Sequence, residues 1–220
     1  RNLPLAEAMG YEFLGENATG FGTWEKGIEY ALIEREIADR ANSRERRAWT
    51  HLVLGLCAGL LKDFERADRE FGEGLALAEA IGEARLAPLL ISFRSIFQAE
   101  SGRLEEALAT AQGGFERAEA SKLVYLRSEA RRCLATVHAF RGEFAEAIAR
   151  IEAAMELTKD SEGVVTHIWM GPVHIEALLK LGRREEAVRR FGAYEKLIAG
   201  IQSPFFAGEV ERLRGLVEGG

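Results

Sequence analysis

The residues best suited to covalent or metal chemistry in this 220-residue chain are two cysteines, Cys57 and Cys133, and four histidines, His51, His138, His167 and His174. A thiol nucleophile needs a histidine within reach and a carboxylate to orient it. Cys133 and His138 lie five residues apart, which puts them about 140° apart around a helix of 3.6 residues per turn. No two histidines stand four apart and no cysteines are paired, so the usual helical zinc spacing is missing and no metal or other cofactor is expected. Glycine loops that cradle phosphates are also missing. The expected role is therefore not enzymatic, and a hydrolase using Cys and His residues is the remote alternative.

Other residues suit recognition better than catalysis. Arg94, Gln98, Arg131, Arg132, His138 and His174 are polar or basic, and arginine grips carboxylates with two parallel hydrogen bonds. Trp169, between His167 and His174, offers an aromatic face for stacking. These seven residues are the expected ligand-contacting set. What they contact depends on the elements that carry them.

Those elements repeat every 40 residues. Gly22, Gly102, Gly142 and Gly182 form one series, with Lys62 in the remaining place. Two positions later come Trp24, Phe64, Leu104, Phe144 and Arg184, then a small column of Gly27, Ala67, Ala107, Ala147 and Ala187. Ala31, Phe71, Ala111, Ile151 and Phe191 follow four residues on. Offsets of three, four and seven share one helix face. Upstream, Leu14-Gly15 maps onto Leu54-Gly55 and weakens to Arg94-Ser95, Leu134-Ala135 and His174-Ile175. Each unit thus predicts a leading helix, a tight turn and a trailing helix, with a small residue where two axes approach closely. Ser203 and Pro204 cap and start one more helix. The expected organisation is a single domain over 1–220, with units at about 3–42, 43–82, 83–122, 123–162 and 163–202 and a terminal helix at 203–218.

The Tyr11, Leu14 and Gly15 spacing, repeated as Leu54, Gly55, Ala67 and Phe71, resembles the tetratricopeptide repeat. The period is 40 instead of 34, and the unit-ending proline is absent. Long units of this kind are similar to the arrays of MalT-like activators, LuxR-type regulators and cyclase-linked proteins of bacteria. The resemblance implies an all-α, right-handed superhelical solenoid of five antiparallel helix pairs plus a C-terminal capping helix. It also implies a concave face lined by leading helices, which binds a protein or peptide segment or a small anionic effector and relays occupancy to a regulatory neighbour. Self-association into a homodimer is the alternative.

Composition agrees with a folded soluble chain, 47% hydrophobic and 29% charged. A net charge of −6, from 35 acidic against 29 basic residues, argues against nucleic-acid binding. Two cysteines in apolar runs and no signal sequence point to a cytoplasmic location with free thiols. No membrane partner is expected. The start at Arg1 predicts that the chain is part of a longer polypeptide.

Several local expectations follow. The alternating charges of Arg183 to Arg190, and the runs Glu34-Arg35-Glu36 and Asp68-Arg69-Glu70, read as solvated faces. Pro172 should kink or restart its helix. Gly15 to Thr23 and Asp160 to Val165 are the weakest joints, and the array as a whole should be elongated.

Overall fold

The computed structural model describes residues 3–159 and 164–219. Among the described residues there are eleven helices and no strand: α1 (Leu3–Gly20), α2 (Trp24–Arg40), α3 (Arg44–Leu60), α4 (Phe64–Ile81), α5 (Leu86–Glu100), α6 (Leu104–Ala120), α7 (Val124–Phe140), α8 (Phe144–Thr158), α9 (Val164–Lys180), α10 (Arg184–Ile198) and α11 (Pro204–Glu218). The even helices from α2 to α10 begin at 40-residue intervals, each two residues after a turn residue in the left-handed region. Gly22, Gly102, Gly142 and Gly182 hold φ between 72° and 88°, and Lys62 holds 67°. In each turn the next amide reaches back to a carbonyl five residues earlier, from Thr23 to Ala18, Asp63 to Ala58, Arg103 to Gln98, Glu143 to His138 and Arg183 to Leu178, all at 2.9 Å. This closure satisfies carbonyls that the ending helix leaves free. The side chains of Ser43, Asp63 and Ser203 accept from amides three residues on and cap α3, α4 and α11.

The small column sits where helices cross. Ala67, Ala107, Ala147 and Ala187 are fully buried, and a Cβ at Gly27 would lie 2.6 Å from Cys57 Sγ. Each odd helix packs on its own trailing helix and also on the next odd helix, whereas the even helices splay apart. Odd helices therefore form the inside of a curve and even helices the outside. This is a helical-repeat solenoid closed at its end by α11, whose Phe206, Leu213 and Val217 are buried.

The array is more curved than expected. Trp24 at the start of α2 meets Phe205 of α11 edge-on, with ring centroids 5.1 Å apart. A Cβ at Gly22 would stand 2.8 Å from Phe205 Cβ. The first unit and the terminal helix touch, so the expected elongated shape gives way to a closed turn.

Other expectations are corrected as well. Helix α9 continues through Pro172 without restarting, and α1 is helical through Gly20, so the proposed weak joint there shrinks to a three-residue turn. The Asp160–Val165 joint lies largely outside the described residues. Glu34 is fully buried instead of solvated, and Glu70 turns inward to accept from His51 Nδ1 at 2.8 Å. No helix among the described residues is long and apolar enough to cross a membrane.

Candidate functional site

The inner curve encloses a groove of about 790 Å³, within the range of ligand sites. Its walls come from the odd helices and the hairpin turns. The contributions follow helical stripes: Leu52, Leu56 and Leu60 on α3, Phe93, Ile96, Phe97 and Glu100 on α5, and Tyr125, Glu129, Arg132, Thr136 and Phe140 on α7. Phe13 and Glu16 of α1 close one end, and Trp169, Phe205 and Phe206 close the other. Trp169 stacks on Phe205 with centroids 5.6 Å apart and meets Phe206 edge-on. The closure between the first unit and the terminal helix therefore adds an aromatic wall to the groove.

The groove floor carries one polar network. Arg132 Nε donates to Glu129 Oε2 at 2.9 Å, and Thr166 Oγ1 donates to Glu129 Oε1 at 2.5 Å. The Arg132 guanidinium also lies over the Phe93 ring, 5.3 Å from its centroid. Burial works against the Arg132 charge, and Glu129 outweighs it. This network ties α7 to α9 across the floor.

Of the seven residues expected to contact a ligand, the structure brings Arg132 and Trp169 into the groove. The other five face trailing helices or turns. Arg94 makes a bidentate pair with Asp68 of α4, at 2.8 and 3.1 Å, which holds the Asp68 carboxyl below its usual range. Gln98 is buried and donates to Glu106 of α6 at 2.8 Å. Arg131 pairs with Glu119 and lies over Phe115. His138 Nδ1 bonds Glu143 at 2.6 Å. His174 is buried against α10 and α8, and burial, with Arg190 and Arg183 adding to it, pushes its imidazole down to about 4. The expected continuous basic strip does not form.

The repeat register explains the separation. Arg94 and His174 occupy the same column as Leu54 and Leu134, and Gln98 and His138 the same column as Ala58 and Leu178. Those apolar members are all buried between helices, so a polar residue in either column points into a helix crossing and takes a partner there when one is present. Arg132 instead shares a column with Leu52 and Pro172, which line the groove. Reading the stripe Phe93, Ile96, Phe97, Glu100 at spacings of three and four would have located the groove face from sequence.

Solved structures share this fold. A Rap protein complexed with competence and sporulation factor superposes with a TM-score of 0.79 at 13% identity, over 97% of this chain and 64% of the Rap chain. The apo form of RapI gives 0.67 at 14% identity, over 96% of this chain and 77% of that one. The chain has the helical-repeat fold of the Rap structures. It spans less than two thirds of the length of the first of them. No family profile and no curated protein matches the sequence.

The electrostatics of the groove run opposite to the expectation of a basic strip. Four glutamates line it, Glu16, Glu100, Glu129 and Glu209, against Lys62 and Arg132. Lys62 pairs with Glu100, Arg132 with Glu129, and Glu209 with Arg212. Glu16 has no such partner among the described residues, and it is exposed at the groove surface while its surroundings displace part of the bulk water. This desolvation, with repulsion from Glu12, pushes its carboxyl to about 7. Behind it, Glu34 of α2 is fully buried with neither oxygen hydrogen-bonded, and burial raises it to about 8. The Arg46 guanidinium pairs with Glu12 and also acts on Glu16 and Glu34.

Both thiols are buried and unpaired. Burial pushes Cys133 up to about 12 and Cys57 up to about 11, so both remain protonated at neutral pH. Cys133 therefore holds its proton, and His138 is committed to Glu143.

Proposed function

We propose that this chain is a peptide-recognition module that holds a short segment in the groove and forms the sensing part of a larger regulatory protein. The observation that carries this reading is the enclosed groove, apolar and aromatic along its length, with its unpaired acid, Glu16, at one end. Apolar and aromatic side chains of a peptide would fill the stretch between Phe97 and Trp169. A lysine or arginine side chain, or a free N-terminus, would meet Glu16. The groove's charge favours such a basic or neutral segment over the small anionic effector suggested by the arginine count. The Rap structure complexed with competence and sporulation factor lends support at the level of fold, and the reading of a signalling parent rests on the same likeness.

Selection from a random peptide library against the chain tests this. Binders should carry a basic group and apolar residues, and should lose roughly tenfold in affinity on Glu16→Gln. Arg94→Gln, away from the groove, should leave affinity unchanged. Selected peptides that bind the Glu16→Gln and Trp169→Leu variants as well as they bind the original chain would refute groove recognition.

One observation favours a second reading, self-association. Helix α1 exposes Leu5 and Met9, four residues apart on one face, an apolar end surface. If two copies meet there, the mass seen by light scattering should fall on dilution, and Met9→Glu should hold the chain as a monomer. A mass independent of both changes removes this alternative.

A further inference from the structure

A second cavity lies on the other side of α9 from the groove. It measures about 230 Å³ and is walled by Met155 of α8, His167, Met170, Gly171, His174 and Ile175 of α9, and Ala193, Tyr194 and Leu197 of α10, with Arg190 at its rim. Gly171 lets the Tyr194 ring lie directly on α9, where any Cβ would collide with it, and the small Ala193 beside it leaves its part of the wall open. Helix α9 thus presents Trp169, Pro172 and Val173 to the groove and Met170, Gly171 and His174 to this cavity.

Three polar groups on residues that line the cavity have no partner among the described residues: His174 Nε2, the Tyr194 hydroxyl and the Arg190 guanidinium. His174 is 3% exposed, and its Nε2 has no hydrogen-bond partner. The nearest charge, Glu152 of α8, is 4.0 Å away and half exposed, beyond hydrogen-bond length. A water molecule is a poor substitute, because ordered buried water takes two to four polar partners and the walls here are mostly thioether and aliphatic. His167 is already engaged with Thr158 Oγ1 at 2.8 Å. Arg190 is exposed and pairs with no carboxylate among the described residues, whereas its neighbour Arg183 is paired with Glu186.

We infer that this cavity is a second binding site, for a small monocarboxylate with an apolar body. The body fills the space between Met155, Met170, Ile175 and Leu197. The carboxylate sits at the rim, accepting from His174 Nε2–H and from the Arg190 guanidinium. A carboxylate is favoured over an amine because Arg190 lines the cavity and Glu152 does not. Charges facing His174 are Arg183 in the turn before α10, Arg190 and Glu186 from α10 and Glu152 from α8; burial first, with Arg190 and Arg183 adding to it against Glu186, leaves the imidazole neutral at pH 7, able to donate from Nε2. A cavity of roughly 150 Å³ lined by aliphatic and aromatic side chains holds benzene, so this one has room for a benzoate-sized ligand. The site is independent of peptide binding in the groove.

Calorimetric titration with benzoate and with benzyl alcohol, its neutral counterpart, tests the assignment. Both should bind at millimolar concentration, benzoate more tightly. Arg190→Gln, at an exposed position, should weaken benzoate roughly fivefold and leave benzyl alcohol unchanged. Ala193→Leu should fill the cavity and abolish binding of both, while Trp169→Leu, in the groove, should alter neither. If Ala193→Leu does not fold, the Arg190→Gln comparison decides alone. Absence of binding by either probe overturns the site, and benzoate binding indifferent to Arg190→Gln overturns the carboxylate assignment.

Discussion

The first and fifth units have the same backbone period and opposite interiors. In the first, α1 and α2 set the buried Glu34 and the half-buried Glu12 against Arg46 of the next unit, with Glu16 exposed beside them, and a glycine, Gly27, takes the small position. In the fifth, α9 and α10 enclose aliphatic, methionine and aromatic side chains, with Ala187 in that place. The first unit meets the terminal helix that caps the fifth through Trp24 and Phe205, and both ends contribute to one groove. Turn chemistry and small columns thus set where helices go, while the residues between them make one end acidic and the other aromatic. Stability and recognition should therefore respond differently at the two ends.

The largest effect is expected at the aromatic end. Phe206 is 1% exposed and touches both Trp169 and Phe205, so Phe206→Ala should cost about 3–5 kcal/mol in denaturant unfolding. A loss under 1 kcal/mol would mean that α11 does not cap the array.

At the acidic end the effect should depend on pH. The Glu34 carboxyl is raised from its ordinary 4.5 to about 8, so the folded state keeps a proton that the unfolded chain releases. Stability from this group is fully present below about pH 4.5 and is lost as pH rises toward 8. Glu34→Gln should leave the midpoint unchanged at pH 4.5 and raise stability on the order of 3 kcal/mol at pH 8. An identical pH profile in the variant contradicts the burial of this charge.

Gly27→Ala probes the small column. Alanine is the better helix former by about 1 kcal/mol, and the other four units already have it, yet here its Cβ meets Cys57 Sγ at 2.6 Å. The net cost should be about 1–3 kcal/mol, and Cys57→Ala in the same chain should recover most of it. A stabilising Gly27→Ala would show that the first unit is as spacious as the others. The smallest effect belongs to the contact between the ends. A double-mutant cycle on Trp24→Ala and Phe205→Ala should return a coupling of about 0.5–1.5 kcal/mol, and additive effects would indicate that the ends do not touch in solution.

Much of the architecture was legible in the sequence, because turn glycines and small columns act locally. Gly102 adopts φ 88° and Ala147 is fully buried, for reasons visible within a few residues of each. Lys62 was legible as a member of the turn series even though it is not glycine. The site was harder to read. Arg131 and Arg132 are consecutive, but about 100° of helical rotation sends the first to Glu119 and the second to the groove. Reading both as one basic patch counted charge without assigning faces. Glu34 was misread for a related reason, since its flanking charges suggested solvent while its own side chain points inward.

By itself, the sequence determined the helical class, the 40-residue period, the hairpin turns and the small residues at helix crossings, all of which depend on spacing along one chain. The tertiary structure decided the curvature, and with it the contact between Trp24 and Phe205, the acid left unpaired at Glu16 and the cavity beside His174. These depend on how five nearly equal crossings add up over the array. A small rotation repeated at every crossing brings residues 181 positions apart into contact, and no local pattern encodes that sum.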